Sequence, residues 1–455
     1  MASPYGVPRG SSVAPEVRSP PEFTTAFASA RRGSRTWLRL RAGILVLDVA
    51  DRRLRSTRAK AATIDRYVTL RRAVDAVAPT GLREALDGVI ECLVRHAPIK
   101  AILMSLATYA ERLNRGGWFM LGAAVYRLII ERATNSGLVD CLPRWYEDLG
   151  FSLREAGDGE RAEAAYRRGL EIADGMGDDV AAVRLRIARA NRYRISDRLG
   201  DAQTLAEDAL QRAHALGRYD LMARAYHEAG VIAHAMQKPR DALALYAQAL
   251  RAYGYSDGEY RNGRDRLLVD IARALAAVRL RAIARAACGV IYLTARERYT
   301  RWVAAINMLD IAADEELEWL FDQYRLALAR SPMPGRLLAF YHFNVGCGCQ
   351  RFGRHEAART SLETAARMAI RLGLSSLGSQ AKAALACATL PAPDPAAQLE
   401  EFPQEIRDLA LTVSELARSP RRRVDSPQRR ADVEPTARGR RTLLRPGRSR
   451  RSDRD

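Results

Sequence analysis

Between about residues 98 and 377 the apolar positions recur with the spacing of helices, and the helices themselves recur. Tyr166-Arg-Arg-Gly-Leu170 and Tyr246-Ala-Gln-Ala-Leu250 stand 80 residues apart, with Ala206-Glu-Asp-Ala-Leu210 midway. Four columns share a period of 40: Gly122, Ala162, Ala202, Ala242 and Ala282; Tyr126, Tyr166, Ala206, Tyr246 and Ala286; Ile129, Gly169, Ala209, Ala249 and Gly289; Ile130, Leu170, Leu210, Leu250 and Val290. The first three columns are offset by 4 and 3 residues and so share one helix face. Small residues there let two helix backbones come close, and the Tyr and Leu positions fill the gap between units. One helix pair cannot bury such a face, but a stack of pairs can. The pattern therefore predicts an all-α solenoid and overrides the roughly three domains that 455 residues alone suggest.

A second helix signal precedes each column set. Tyr146-x-x-Leu149-Gly150 is matched by Tyr226-x-x-Ala229-Gly230. Turns fall at Gly157-Asp158-Gly159, near Asp197–Gly200 and at Gln237–Pro239, while Gly177, Gly217 and Gly373 sit where helix C-caps are expected. The small and aromatic positions Tyr146, Leu149, Gly150, Ala162, Tyr166 and Leu170 recur as Tyr226, Gly230, Ala242, Tyr246, Ala249 and Leu250. They recur again as Val345, Gly346, Gly353, Ala358 and Ala365. Over roughly residues 100–380 this pattern resembles the tetratricopeptide repeat (TPR) family. The period of 40 exceeds that family's 34 and its terminal proline is absent. In both respects the chain is similar to the longer repeats of bacterial maltose-activator-type regulators. The resemblance implies a right-handed superhelical solenoid of antiparallel helix pairs whose first helices line a concave groove.

The expected layout begins with a basic, largely disordered segment over 1–60 and N-terminal capping helices over 61–97. About seven helix pairs fill 98–378. A linker and C-terminal capping helix follow over 379–417, then a disordered Arg-rich tail over 418–455. Within the first segment, WLRLRAGILVLDV is ambiguous between strand and helix. Residues 303–338 break the register by about four residues, and Pro332 and Pro334 mark a loop.

Charge sharpens this picture. Of 73 basic residues only Lys60, Lys100, Lys238 and Lys382 are lysines. Residues 1–60 carry a net +8 and 418–455 a net +9, so the tails hold 17 of the 20 net charges and the body is nearly neutral. The six cysteines are scattered without a CxxC pair, which argues for reduced thiols rather than a disulfide framework. No apolar run reaches the roughly 18 residues of a membrane span. Ala42–Ala50 is interrupted by Asp48 and precedes no small-x-small cleavage site, so the cytoplasm is the expected compartment.

Catalytic motifs are absent: there is no GxxxxGK[ST] loop, no GxSxG elbow and no HExxH. Gly346-Cys-Gly-Cys lacks a following phosphate-loop Lys and reads as close helix packing. His227 and His234 share a helix face but lack the i, i+4 spacing and carboxylate of a zinc site. Sequential pairs such as Glu315-Glu316 point apart and do not form an acid/base site. No enzyme, metal or cofactor is expected.

Arg144, Arg184, Arg224 and Arg264 also share the period of 40, and Arg154, Arg194 and His234 follow ten residues later. If first helices line the groove, these residues and His227 form a cationic ladder suited to the carboxylates or phosphates of an acidic peptide. The TPR carboxylate clamp is excluded, because its positions hold Glu147, Phe151 and Glu155. The expected function is a non-catalytic protein–protein interaction scaffold or adaptor. The alternative is a signalling or transcription regulator whose basic tails, such as Arg421-Arg-Arg423 and Arg448–Arg451, also bind nucleic acid. That alternative predicts a salt signature. If about six tail arginines meet phosphates, log affinity for DNA falls with log salt at a slope of about −5, and removing both tails abolishes binding. Salt-resistant binding by the body alone would place recognition on a folded surface instead.

Overall fold

The computed structural model describes residues 20–55, 64–78, 80–255, 261–387 and 394–418, and among these all regular structure is helical. Four helices precede the repeats: α1 (Pro21–Ser29), α2 (Arg35–Arg55), α3 (Ile64–Asp75) and α4 (Gly81–Val94). Seven antiparallel pairs follow. They are α5 (Ile99–Arg115) with α6 (Phe119–Asn135), α7 (Leu142–Glu155) with α8 (Gly159–Met176), α9 (Asp179–Ile195) with α10 (Leu199–Ala215), and α11 (Tyr219–Ala235) with α12 (Pro239–Tyr255). The last three are α13 (Arg261–Ala277) with α14 (Arg281–Thr294), α15 (Arg298–Asp314) with α16 (Glu318–Ala329), and α17 (Gly335–Arg351) with α18 (His355–Arg371). Helices α19 (Ser375–Ala386) and α20 (Gln404–Arg418) end the described chain. The result is the expected all-α superhelical solenoid.

Every pair turns on one left-handed residue, and these residues measure the repeat. Gly117, Gly157, Asp197 and Gln237 follow at intervals of 40. Arg279 comes 42 residues after Gln237, and Glu316 and Gly353 then follow at intervals of 37. The columns expected at Ala282, Ala286 and Gly289 are therefore displaced. Ala282 and Ala286 are exposed, and Ala284, Cys288 and Ile291 are buried in their stead. Two residues more in the connection from α12 to α13 produce the slip.

Within a unit, the first helix gives way to a tyrosine of the second. A Cβ on Gly150 would lie 2.3 Å from the Tyr166 ring, and one on Gly230 would lie 2.4 Å from the Tyr246 ring. Both tyrosines are wholly buried. At Gly346 the same place is filled by Leu362, which a Cβ would meet at 2.5 Å. The two helices approach as closely as they do because no side chain stands between backbone and ring.

The chain ends depart from expectation. Residues 20–55 were expected within a disordered segment, yet they form α1 and α2. Phe23, Leu40, Val46, Leu47 and Ala50 are buried there. Asp51 of α2 pairs with Arg132 of α6 at 2.7 Å, both side chains only 7% exposed, and Arg127 pairs with Glu22 of α1. An arginine-rich composition hid a helix whose apolar face packs on the first repeat. Residues 1–19 and 419–455 lie outside the described residues.

At the other end α20 does not cap the array. It turns back to the outer surface and packs against α12 and α14. Ile406, Leu409, Ala410 and Val413 are the buried face of α20. The expected linker at 391–395 lies partly outside the described residues.

The glycine gap yields a test. Gly230→Ala forces a methyl group into the Tyr246 ring and should cost about 1–3 kcal/mol. Adding Tyr246→Leu should recover part of the loss in thermal unfolding, because the smaller side chain vacates the contact. No recovery would mean that Gly230 serves another purpose.

Candidate binding channel

The first helices pack on one another in succession, α7 on α9, α9 on α11, α11 on α13, α13 on α15 and α15 on α17. They form the inner layer of the curve, and the second helices stand outside. Arg224 of α11 reaches Glu147 of α7 across the intervening α9, a contact available only on the inner side.

The curve also closes on itself. Glu155, at the end of α7, accepts from Arg154 at 3.0 Å and from Arg336 of α17 at 3.2 Å. Its side chain is only 4% exposed. Beside it, the Gly157 turn lies against Leu372, and Ile195 of α9 packs with Ala339, Met368, Leu374 and Leu377. The second and third pairs thus meet the seventh, and the groove becomes a channel.

Inside it the arginine ladder is already partnered. Arg184 meets Glu147 at 2.5 Å and Arg224 meets the same carboxylate at 3.4 Å. Arg144, more than half exposed, contacts Glu147 at 3.8 Å and Asp148 at 3.1 Å. Arg194 binds Glu228 at 3.1 Å, and Asn191 donates to both oxygens of that carboxylate. Arg154 lies over the Phe151 ring at 5.1 Å as well as binding Glu155. His227 meets Asp270 at 2.9 Å and sets its ring against Tyr246. Burial and Arg273 push His234 down to about 4, so it is neutral near pH 7. Arg264 is the member out of place. With the slip of two residues, Arg266 holds the register of Arg224 and pairs with Glu297 at 2.7 Å. Arg264 has no ion pair among the described residues.

Sequence reasoning missed the counterpart of this ladder, acidic in its first members and amide in its last. Asp148, Glu228, Asp270, Asn307 and Asn344 share one register once the intervals of 40, 42 and 37 are applied. Asn307 donates to the Val269 carbonyl, and Asn344 donates to the Ile306 carbonyl one unit later. Only the non-glycine turn residues carried the signal, and they look ordinary in a sequence. Two carboxyls on this wall are unsettled. Burial pushes Asp148 up to about 7 against the pull of Arg144. Burial and then the neighbouring Asp314 push Asp310 up to about 6.

The lining suits ion-pair exchange and hydrogen bonding more than covalent chemistry. Burial pushes the Cys347 and Cys288 thiols up to about 12, so both stay protonated. Among the described residues no group of three or more His, Cys, Asp or Glu is placed to hold a metal. Among them, too, no helix is long and apolar enough to cross a membrane.

No family model matches the sequence, and no curated protein matches it. Solved structures do resemble it in helix arrangement. A Rap protein complexed with competence and sporulation factor aligns with a TM-score of 0.48 and 12% identity, covering 75% of this chain and 99% of that one. The apo form of RapI gives 0.46 and 13%, covering 78% and 91%. The Rap conjugation gene regulator of plasmid pLS20, in complex with the Phr* peptide, gives 0.45 and 10%, covering 73% and 96%. All three TM-scores lie below 0.5, so ligand and role are read from this chain's own residues.

The closing contact has a measurable worth. Arg336→Met removes one charged hydrogen bond from the buried Glu155 and should cost about 1.5–3 kcal/mol in denaturant unfolding. Arg336→Met/Glu155→Gln should recover part of that, because no bare charge is then left inside. An unchanged midpoint in the single variant would show the channel open in solution.

Proposed function

We propose that the protein is a non-catalytic interaction scaffold whose channel takes an extended, carboxylate-bearing segment of another protein. The observation that carries this reading is the crowding of Arg144, Arg184 and Arg224 around the single carboxylate of Glu147. Three guanidinium groups offer far more donors than one carboxylate accepts. Glu147 then occupies the place of a partner's acid, and an incoming acidic side chain joins or displaces it. Guanidinium forks suit this exchange because they bind carboxylates with two parallel hydrogen bonds. The six free cysteines fit work in the reducing cytoplasm.

The regulator reading, with nucleic acid held by the tails, draws on charge alone. It is weakened at the N-terminal end, where α2 already engages several arginines: Arg41 lies over Trp37, Arg52 pairs with Asp48, and Arg55 pairs with Asp51.

Two substitutions that break the same internal ion pairs separate binding from folding. A fluorescently labelled oligo-glutamate peptide is the probe. Glu147→Gln frees Arg184 and Arg224, leaves Arg144 on Asp148, and should tighten the peptide about tenfold, or about 1.4 kcal/mol. Arg184→Gln/Arg224→Gln should weaken it by at least as much. Both variants lose the Glu147 ion pairs of Arg184 and Arg224, so opposite shifts in affinity report the channel. Equal shifts in one direction would sink the proposal. The natural partner can then be sought by pull-down with the full chain, using the double variant as the control.

A further inference from the structure

The course of α20 points to a second binding surface, on the outside of the solenoid. From α5 to α19 each helix packs on its neighbours in chain order. Helix α20 alone runs backward, past α15–α19, to lie against α12 and α14. Its approach is held by Arg281 donating to the Asp394 carbonyl and by Ala397 N–H donating to the Arg279 carbonyl.

The seat is built for a helix. Arg240, Leu243, Ala247, Gln248 and Arg251 form one stripe of α12, by their spacing of three, four, one and three residues. Both ends of the stripe touch the α20 region. Arg240 lies over the Phe402 ring at 5.2 Å, and Arg251 and Gln248 bind Glu405 at 2.6 and 3.4 Å. Between them Leu243 and Ala247 are buried. The same places on α10 and α8, one and two repeats earlier, hold Gln203 and Glu207, then Glu163 and Arg167. Arg167, Gln203 and Glu207 face water, and Glu163 is held by Arg189 and Tyr193. Of these three helices only α12 carries apolar residues at both places. The face received is Ile406, Leu409, Ala410 and Val413, spaced i, i+3, i+4, i+7, with an acid one residue before it at Glu405.

We infer that the groove between α12 and α14 is a docking site for an amphipathic helix from another protein. That helix has apolar residues at i, i+3, i+4 and i+7 and an acid preceding them, and α20 fills the groove in cis as a displaceable stand-in. Charge complementarity selects this occupant: Arg240 and Arg251 flank the apolar seat, so an acidic helix start is favoured and a basic one is repelled. A tethered α20 competes at high effective concentration, which keeps the groove shut to weak ligands.

The probe is a labelled synthetic peptide of residues 399–418, offered to the full chain. Leu409→Asp in the chain loosens the cis helix, and the variant should bind the peptide at least tenfold more tightly than the unaltered protein. Adding Arg251→Glu should abolish that binding, and a peptide with Glu405→Arg should restore it. Equal binding to the variant and the unaltered chain overturns the inference, as does a doubling of mass showing α20 exchanged between two copies. If Leu409→Asp prevents folding, amide exchange on the unaltered chain decides. Exchange in α20 at least a hundredfold faster than in α12 and α14 supports a displaceable helix, and joint exchange of all three refutes it.

Discussion

The structure depends on how closely a first helix and its second helix can approach. Gly150 and Gly230 remove the side chain that would keep Tyr166 and Tyr246 out, and the rings fill the space completely. That contact sets the distance between the inner and outer helix of a unit. Stacked side by side, such units place their first helices in one inner layer, and the curve of that layer produces the channel. The polar ladders on the first helices face one another only because this apolar interlock brings the helices into one layer.

The channel wall solves an electrostatic problem created by that curvature. Charged side chains on a concave surface are crowded and poorly hydrated, so several are held by an opposite charge from another unit. Glu147 with Arg184 and Glu228 with Arg194 are such pairs. Pairs of this kind add little net stability, since the cost of removing two ions from water offsets most of their attraction. Their effect is on register: Glu147 accepts Arg184 only if α7 and α9 are stacked correctly. Where burial outweighs pairing, at Asp148 and Asp310, the carboxyls are held well above their usual range.

Much of this was legible in the sequence. The period of 40 located the pairs from α7 to α12 because small and aromatic residues recur there without interruption. It failed beyond α12, where two added residues and then a shorter interval of 37 moved every column. Arg264 was assigned to the ladder for that reason, and Arg266 was overlooked. Leu40, Val46 and Leu47 were masked by the arginines around them, since composition averages away a helix face. The amphipathic pattern of α20 was readable, but not the helix that receives it. A repeat pattern describes neighbours, and α20 packs on helices far from it in the chain.

Stacked repeats ordinarily behave as a line, in which each unit feels only the next and the ends can come undone by themselves. The contact of Glu155 with Arg336 spans 181 residues. It turns the line into a loop, so the last pair cannot loosen without exposing the second. Loosening then becomes an event of the whole ring rather than of its termini, and folding must include a late step that brings distant parts together. The entropy of closing so large a loop grows only slowly with its length. A single buried carboxylate and a small apolar cluster can therefore convert a chain of local contacts into one cooperative body.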